Sequence, residues 1–423
     1  MKETHQTDSS ARCDSHGEER KRASRGEPPG GQFTRRDIIR SIPVGMALSS
    51  LPVASYVARA APDYWTVVAL PDTQFYAERD DWTQYAHDQT EWVADNSESE
   101  HIRFVTHEGD IVENGGRDVE WERMDSVMST LDGEVPYSAI PGNHDWEKEG
   151  DRTSSIENFT ETFGASRYEN RSWFGGTGPE TTPLNFYQYF SGGAYDFLHL
   201  ALELEPPGEV DDPTTSLGWA RRVLDDHQFM PTILTTHYYL EDDGRSTNLH
   251  ERNGIGNTGE EVWQKLVKTS PQVFMVLCGH IHGENHQIST NDAGLSVYEV
   301  LADYQDYDNG GNGWMRLIRF QPGGESGPDR IQFVTYSPSL DEYMTDSSSE
   351  FSFDLQFDER FNPASWVGDV DGNGELDQDD VTHLQKHLSG RDIDTDEDAA
   401  DVNGDGRVDI ADAVTLNNYL EGS

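Results

Sequence analysis

The chain has 423 residues, too many for one small core, so two or more units are expected. It carries 31 Lys+Arg against 79 Asp+Glu, a formal charge of −48, which makes nucleic acid and anionic membrane poor partners for its surface. The acidic residues are spread between apolar runs such as TVVALP and QVFMVLCG, and aromatics make up 10%, so the composition argues against a disordered acidic tail and fits a folded protein adapted to high salt, with an ordinary acidic secreted protein as the alternative. Of the two cysteines, Cys13 lies in a leader-like segment and Cys278 ends an apolar run, so no disulfide framework is expected after processing.

Residues 1 to about 33 are polar and patternless. Then TRRDIIRS places Arg35 and Arg36 before a weakly apolar stretch, SIPVGMALSSLPVASYV, which runs into Ala58-Arg59-Ala60. Paired arginines, a modest apolar segment and an A-x-A site resemble a twin-arginine export signal, which carries proteins across the membrane already folded. Pro43, Pro52 and many small residues argue against a stable membrane span, so cleavage near Ala60 and a secreted or cell-surface product are expected.

From residue 64 strands and helices alternate. WTVVALPD reads as a buried strand, Asp81 to about Asn96 as a helix, IRFVTHEGD as a strand, Val119 to Leu131 as a helix and VPYSAIPGN as a third strand. FYQYF, AYDFLHLALE, PTILTTH, QVFMVLCGH, GLSVYEVLADY, WMRLIRF and RIQFVTY follow as further strands. This order predicts an α/β domain with a mixed sheet or two stacked sheets. The strand ends share a chemistry: Asp72-Thr73-Gln74, Gly109-Asp110, Gly142-Asn143-His144-Asp145, His237, and Gly279-His280-Ile281-His282. Ordinary turns favour Gly, Pro, Ser and Asn, not a recurring choice of Asp, Asn and His. Ligands of open α/β sheets bind at the C-terminal ends of the strands, so these residues predict a metal site.

The same residues resemble the calcineurin-like metallophosphoesterases, whose pattern is D-x-H, G-D-x, G-N-H-[DE], a lone His and G-H-x-H. The likeness covers about residues 64 to 357, with the second to fifth elements intact. It implies an α/β two-sheet sandwich flanked by helices over 62–358, holding two divalent metals (Mn, Fe, Zn or Mg). By resemblance, Asp110 bridges the metals; Asp72, Gln74 and His282 complete one site; Asn143, His237 and His280 complete the other. His144 faces the substrate as the catalytic acid, and Asp145 orients its ring. The implied reaction is phosphate-ester hydrolysis by a metal-activated hydroxide. Gln74 departs from the pattern, which has His there; an amide oxygen is a harder and weaker ligand than imidazole, which favours Mn, Mg or Fe over Zn. LPDTQ, GDIVENGG and LADYQ together resemble a secreted subgroup of the family. His107, His250 and His286 read as surface or supporting residues, Glu113 and Asn114 as neighbours of the bridging Asp placed to contact metal-bound water or substrate, Tyr76 and Tyr238 as pocket or core, and YQDYDNGGNGW as a plain connecting turn, against the alternative of a loop over the site.

After a linker over 359–366, a duplication begins. DVDGNGELDQDD starts at 369 and DVNGDGRVDIAD 32 residues later, each followed by an amphipathic segment. Oxygen-bearing residues fall at loop positions 1, 3, 5, 9 and 12, with Gly374 or Gly406 at position 6. The expected calcium ligands are Asp369, Asp371, Asn373, Asp377 and Asp380, then Asp401, Asn403, Asp405, Asp409 and Asp412, with Glu375 and Arg407 offering main-chain carbonyls. Two such loops, each with one following helix, resemble a type I dockerin over 367–421: a small α-helical calcium-loop repeat domain binding two Ca ions. That resemblance brings in a cohesin-like scaffold protein as a partner, against the plainer alternative of a calcium-stabilised appendage. Gln378-Asp379 and Ile410-Ala411, beside the loop ends, differ between the copies. The strand-end residues leave open a phosphodiesterase or nucleotidase on the same core, and a non-catalytic binding protein displayed through the dockerin.

Overall fold

The computed structural model describes residues 64–423 except 324–326, 363–366, 374–375, 392, 394, 405 and 423. The twin-arginine stretch, Ala60, Glu375 and Asp405 therefore lie outside the described residues. In chain order the strands are β1 (Trp65–Leu70), β2 (Ile102–His107), β3 (Tyr137–Ala139), β4 (Phe174–Gly178), β5 (Asn185–Gly192), β6 (Tyr195–Leu202), β7 (Thr232–Thr236), β8 (Leu240–Glu241), β9 (Gly244–Arg245), β10 (Val273–Cys278), β11 (Gly283–Thr290), β12 (Ser296–Asp303), β13 (Met315–Gln321), β14 (Asp329–Ser337), β15 (Glu342–Met344) and β16 (Glu350–Leu355). The helices are α1 (Gln74–Glu78), α2 (Thr83–Asn96), α3 (Asp118–Met128), α4 (Glu157–Phe163), α5 (Ser216–Asp226), α6 (Gly259–Val262), α7 (Asp308–Gly311), α8 (Phe357–Phe361), α9 (Gln378–Leu388), α10 (Glu397–Ala400) and α11 (Ile410–Gly422).

Among the described residues the strands form two seven-stranded sheets and one small hairpin. The first sheet runs β15-β14-β13-β1-β2-β3, with β16 also paired to β14; the second runs β11-β12-β10-β7-β6-β5-β4. This is the α/β two-sheet sandwich with flanking helices. β1 shows why the sheets stack. Its side chains alternate, so Trp65, Val67 and Ala69 join Phe104, Phe197, Phe274 and Phe320 between the sheets, while Val68 and Leu70 pack with α2 and α3 residues on the other face. Burying each large side chain contributes roughly 1.5–3 kcal/mol, and the faces covered by helices make both sides of β1 apolar. The second sheet buries its outer face against α5, α6 and the helical turn Trp263–Val267 that follows it, through Leu217, Leu224, Val262 and Leu266.

β1, β2 and β3 are mutually parallel, as are β6, β7, β10 and β12. Parallel strands place their C-terminal ends on one edge, which is how residues far apart in sequence reach one site. The linker expected over 359–366 begins later than the sequence suggested: α8 buries Phe357, Arg360 and Phe361, the two phenylalanines within the inter-sheet core, because its apolar side chains continue the aromatic cluster around Trp65.

The C-terminal range has its own small core of Val367, Val370, Val381, Leu384, Ala400, Val402, Ala413 and Leu416. Phe229, from the turn between α5 and β7, enters that cluster and stacks on Tyr419 with ring centroids 3.9 Å apart. Among the described residues no helix is long and apolar enough to cross a membrane.

Candidate metal centre

The strand-end loops are tied to one another by main-chain bonds, Thr73 N–H to the Asp110 carbonyl at 3.1 Å and Gly279 N–H to the His237 carbonyl at 3.0 Å. Close approach requires the motif glycines. A Cβ on Gly142 would sit 2.2 Å from Asp110 Oδ1, and one on Gly279 would sit 2.2 Å from Asp72 Oδ1. Asp110 and His280 adopt left-handed backbone, φ 46° and 73°, a strain that non-glycine residues carry mostly at functional sites.

Around His237 the ligand atoms converge. Its Nε2 lies 3.1 Å from Asn143 Oδ1, 3.2 Å from His280 Nδ1 and 3.4 Å from Asp110 Oδ2. Its Nδ1 donates to the Glu108 carbonyl at 2.8 Å, which fixes the ring and leaves Nε2 for the centre. Asp110 Oδ1 accepts from the His144 main-chain N–H at 2.8 Å. Asp110, His237 and His280 together form a group whose ligand atoms lie within 4.8 Å of one another.

The other half is less complete. Asp72 and Gln74 are each 2% exposed, and Asp72 Oδ2 and Gln74 Oε1 are buried without a hydrogen-bond donor. His282, expected beside them, is 47% exposed and instead pairs its Nδ1 with Asp306 Oδ2 at 2.6 Å. The structure thus brings Asn143, His237, His280 and Asp110 together and leaves His282 turned to the surface.

Asp145 does not orient the His144 ring, contrary to the expectation. Its carboxylate points into the loop and accepts from the main-chain N–H groups of Ile111, Val112 and Gly142 at 2.8–3.2 Å, donors that would otherwise be buried and unpaired. The ring is held by Glu113, whose carbonyl lies 3.0 Å and whose carboxylate lies 3.4 Å from His144 Nδ1. Tyr238 and His250 border the site, with ring centroids 4.4 Å and 4.5 Å from that of His280. His107 is a buried support. Its Nδ1 accepts from Gly109 N–H, so Nε2 donates to Thr73 Oγ1, joining the first two strand ends. Asn114 bonds to Glu120, and His286 of β11 stacks on Phe351 of β16. The loop read as a plain turn, 304–314, grips α1: Gly313 N–H donates to Tyr76 Oη at 2.9 Å.

Electrostatics fit a cation here. Burial drives the Asp72 carboxyl well above the usual range, with the Asp303 charge the next cause and Asp110 after it. Burial also raises Glu108, opposed by Arg316 and reinforced by Asp303, and lifts Asp303 to about 6. Asp110 runs the other way. Its burial is outweighed by His237, His144 and His280, which hold it below the carboxylate range. Burial, with His237 next, keeps His280 neutral well below the ordinary histidine value, the form that binds metal. Asp72 Oδ2, Gln74 Oε1, Glu108 Oε2 and Gln305 Oε1 are all acceptors without donors, a shortage that a divalent ion satisfies and a proton-poor protein interior does not.

In the C-terminal range Asp369, Asp371 and Asp380 gather ligand oxygens within 4.8 Å. The buried Asp380 accepts from Val370 and Asp377 N–H at 2.9 Å each, and the buried Asp412 accepts from Asn403 and Asp409 N–H at 3.0 and 2.7 Å. The two position-12 aspartates therefore organise their loops in the same way.

The sequence profile of the calcineurin-like phosphoesterases matches residues 66–284, and that of the type I dockerin domain matches residues 367–421. A curated relative, the uncharacterized protein YvnB of Bacillus subtilis (strain 168), is 31% identical over 316 residues, which are 71% of this chain. The match spans 22% of that relative's length. Among solved structures, a purple acid phosphatase from yellow lupin (Lupinus luteus) seeds is similar at 14% identity with a TM-score of 0.43, covering 70% of this chain and 54% of that one. An anchor protein of the inner membrane complex of Plasmodium is similar at 11% identity with a TM-score of 0.38, covering 69% and 89%.

Proposed function

Because the chain belongs to the calcineurin-like phosphoesterases and carries a C-terminal type I dockerin domain, we propose that it hydrolyses phosphate esters at a two-metal centre and is displayed outside the cell through its dockerin. The observation that carries this reading is the convergence of Asn143 Oδ1, His280 Nδ1 and Asp110 Oδ2 within 3.4 Å of His237 Nε2. Asp110, Asn143, His237 and His280 would hold one metal; Asp72, Gln74 and Asp110, with His282 after its ring turns inward, would hold the other. A bound pair of this kind supplies a water ionised near neutral pH and neutralises charge on the phosphoryl oxygens.

The chain's own residues do the rest. His144 holds a proton: burial favours its loss, but Asp110 and Glu113 outweigh burial and raise the ring above the ordinary histidine value. With Nδ1 on the Glu113 carbonyl, Nε2 is the atom that passes a proton to the leaving oxygen as its bond to phosphorus breaks. Tyr238 and His250 shape the wall beside His280. In the calcium-loop domain, the two carboxylate sets would each hold a Ca ion, and a cohesin-like scaffold is the partner that domain suggests. Export by the twin-arginine route belongs to the same reading.

Hydrolysis of p-nitrophenyl phosphate and bis-p-nitrophenyl phosphate in high salt, by metal-stripped protein and after return of Mn, Zn, Mg or Ca, tests it. Metal-dependent release from one ester supports the hydrolase and chooses between monoester and diester chemistry. Silence from both, with metal bound and the fold intact, sinks the proposal for these substrates and favours a binding protein.

A further inference from the structure

A sixth strand ends at the metal-bearing edge, beyond the five that carry the motif. β12 runs parallel to β10, and its last residue, Asp303, is fully buried. Across the β11–β12 ladder Asp303 pairs with Gly283, the residue after His282. It therefore emerges beside the loop Gly279–His282. Gln305 holds the carboxylate from behind: its main-chain N–H donates to Oδ1 at 2.9 Å and its Nε2 to Oδ2 at 3.0 Å. Each Asp303 oxygen keeps a further lone pair. The family profile ends at residue 284, so it assigns nothing to this strand.

The half of the centre that Asp303 joins is the half short of nitrogen ligands. Gln74 stands where an imidazole is usual, and His282 is turned to Asp306. Three buried acceptor oxygens on residues of these strand ends have no hydrogen-bond partner: Asp72 Oδ2, Gln74 Oε1 and Gln305 Oε1, on residues 2%, 2% and 6% exposed. α1, which carries Gln74, is fastened through Tyr76 to Gly313 of the loop that follows Asp303.

We propose that Asp303 is a ligand of the first metal, replacing the imidazole that Gln74 displaced and giving that site, beside His282, an oxygen-dominated donor set of Asp72, Gln74, Asp110 and Asp303. Such a set selects a hard ion, Mn²⁺ or Mg²⁺, over Zn²⁺. The proposal rests on the two-metal reading above and adds to it the identity of one ligand and the class of ion.

The test is metal stoichiometry and affinity, measured by elemental analysis and by electron paramagnetic resonance of coupled Mn²⁺ ions. The full chain is used with saturating Ca²⁺ to fill the dockerin loops, and Asp110→Asn sets the background. Wild type is expected to bind two Mn²⁺ above that background with a coupled signal. Asp303→Asn is expected to keep one and to bind the other at least about 100-fold more weakly, beyond the 10–100-fold cost of an outer partner. If Asp303→Asn fails to fold, Asp303→Glu, which keeps the charge and displaces the oxygens, carries the same comparison. A smaller loss, with the coupled signal retained, overturns the ligand assignment and leaves the two-metal reading standing. Fewer than two Mn²⁺ in wild type overturns both.

Discussion

The Nδ1 of His144 lies 3.0 Å from the main-chain oxygen of Glu113. A carbonyl only accepts, so Nδ1 carries the hydrogen and Nε2 is the nitrogen left for the substrate. His144→Asn should therefore lower kcat by roughly 10²–10⁴-fold, the usual worth of a positioned acid, with metal content unchanged. Glu113→Gln should cost much less, because the ring is held by the main chain. Since Asp110 and Glu113 raise the His144 pKa against the effect of burial, the falling limb of the pH–rate profile should lie above the ordinary histidine value and vanish in His144→Asn. A variant with full activity and the same limb would exclude His144 as the acid.

Asp145 acts on a different level. It accepts three main-chain N–H bonds from the loop that carries Asp110 and from Gly142. Removing it leaves those donors buried and unpaired, each costing about 1–3 kcal/mol. Asp145→Ala should lower Tm strongly and weaken metal binding through a displaced Asp110, while Asp145→Asn, which keeps one acceptor oxygen, should recover part of both. Thermal unfolding of the two metal-free variants decides; equal Tm values in wild type and Asp145→Ala would assign the residue to chemistry instead.

What was legible in sequence followed from periodicity and strand ends. The apolar alternation of WTVVAL and the parallel order of the early strands follow from side-chain period and burial, and Asp110, Asn143, His237 and His280 each close such a strand. Three things were not legible. The inward turn of Asp145 depends on unpaired main-chain donors from Ile111 and Val112, more than thirty residues away. α8 looked like a linker because its phenylalanines sit among charges, and only the inter-sheet aromatic cluster shows where they go. Asp303 lies in LADYQ, which marked a subgroup of the family without a role for its acid; the chemical signal was an acid ending an otherwise apolar strand, VYEVLAD, the same signal that Asp72 gives.

The metal-free protein should be destabilised by Asp303 at neutral pH. Burial raises its folded pKa to about 6, above that of the unfolded chain. The folded state therefore binds more protons between those values, and the stability this carboxyl permits is fully present below about pH 4 and lost as pH rises through 6. Metal-free Asp303→Asn should match wild type near pH 4 and exceed it by on the order of 3 kcal/mol near pH 7.5. Urea unfolding at the two pH values checks this; equal stability at both would show that Asp303 is not held in an unfavourable site.

Calcium removal should act on the C-terminal range alone. Asp412 joins the start and end of the second loop through Asn403 and Asp409 N–H, so Asp412→Ala removes both a ligand and the loop's closure. Withholding Ca²⁺ while the catalytic metals are kept saturating, or Asp412→Ala at saturating calcium, should reduce helical signal by the amount contributed by α9 and α11 and leave phosphoesterase turnover unchanged. Turnover that falls in step with helix loss would place calcium in the catalytic domain instead.

Phe229 links the two ranges. It is 8% exposed, belongs to the dockerin core and stacks on Tyr419 at 3.9 Å, yet it is supplied by the calcineurin-like phosphoesterase domain. The dockerin is therefore completed by a side chain from outside its own sequence. A buried aromatic of this kind contributes about 3–5 kcal/mol to the core that holds it, reduced where the surrounding helices can close over the gap. Phe229→Ala should leave the catalytic domain's unfolding transition in place and speed amide hydrogen exchange in α9 and α11, with more calcium needed to restore protection. Unchanged exchange in α11 would mean that the stack is a passive contact and that the dockerin core is complete without it.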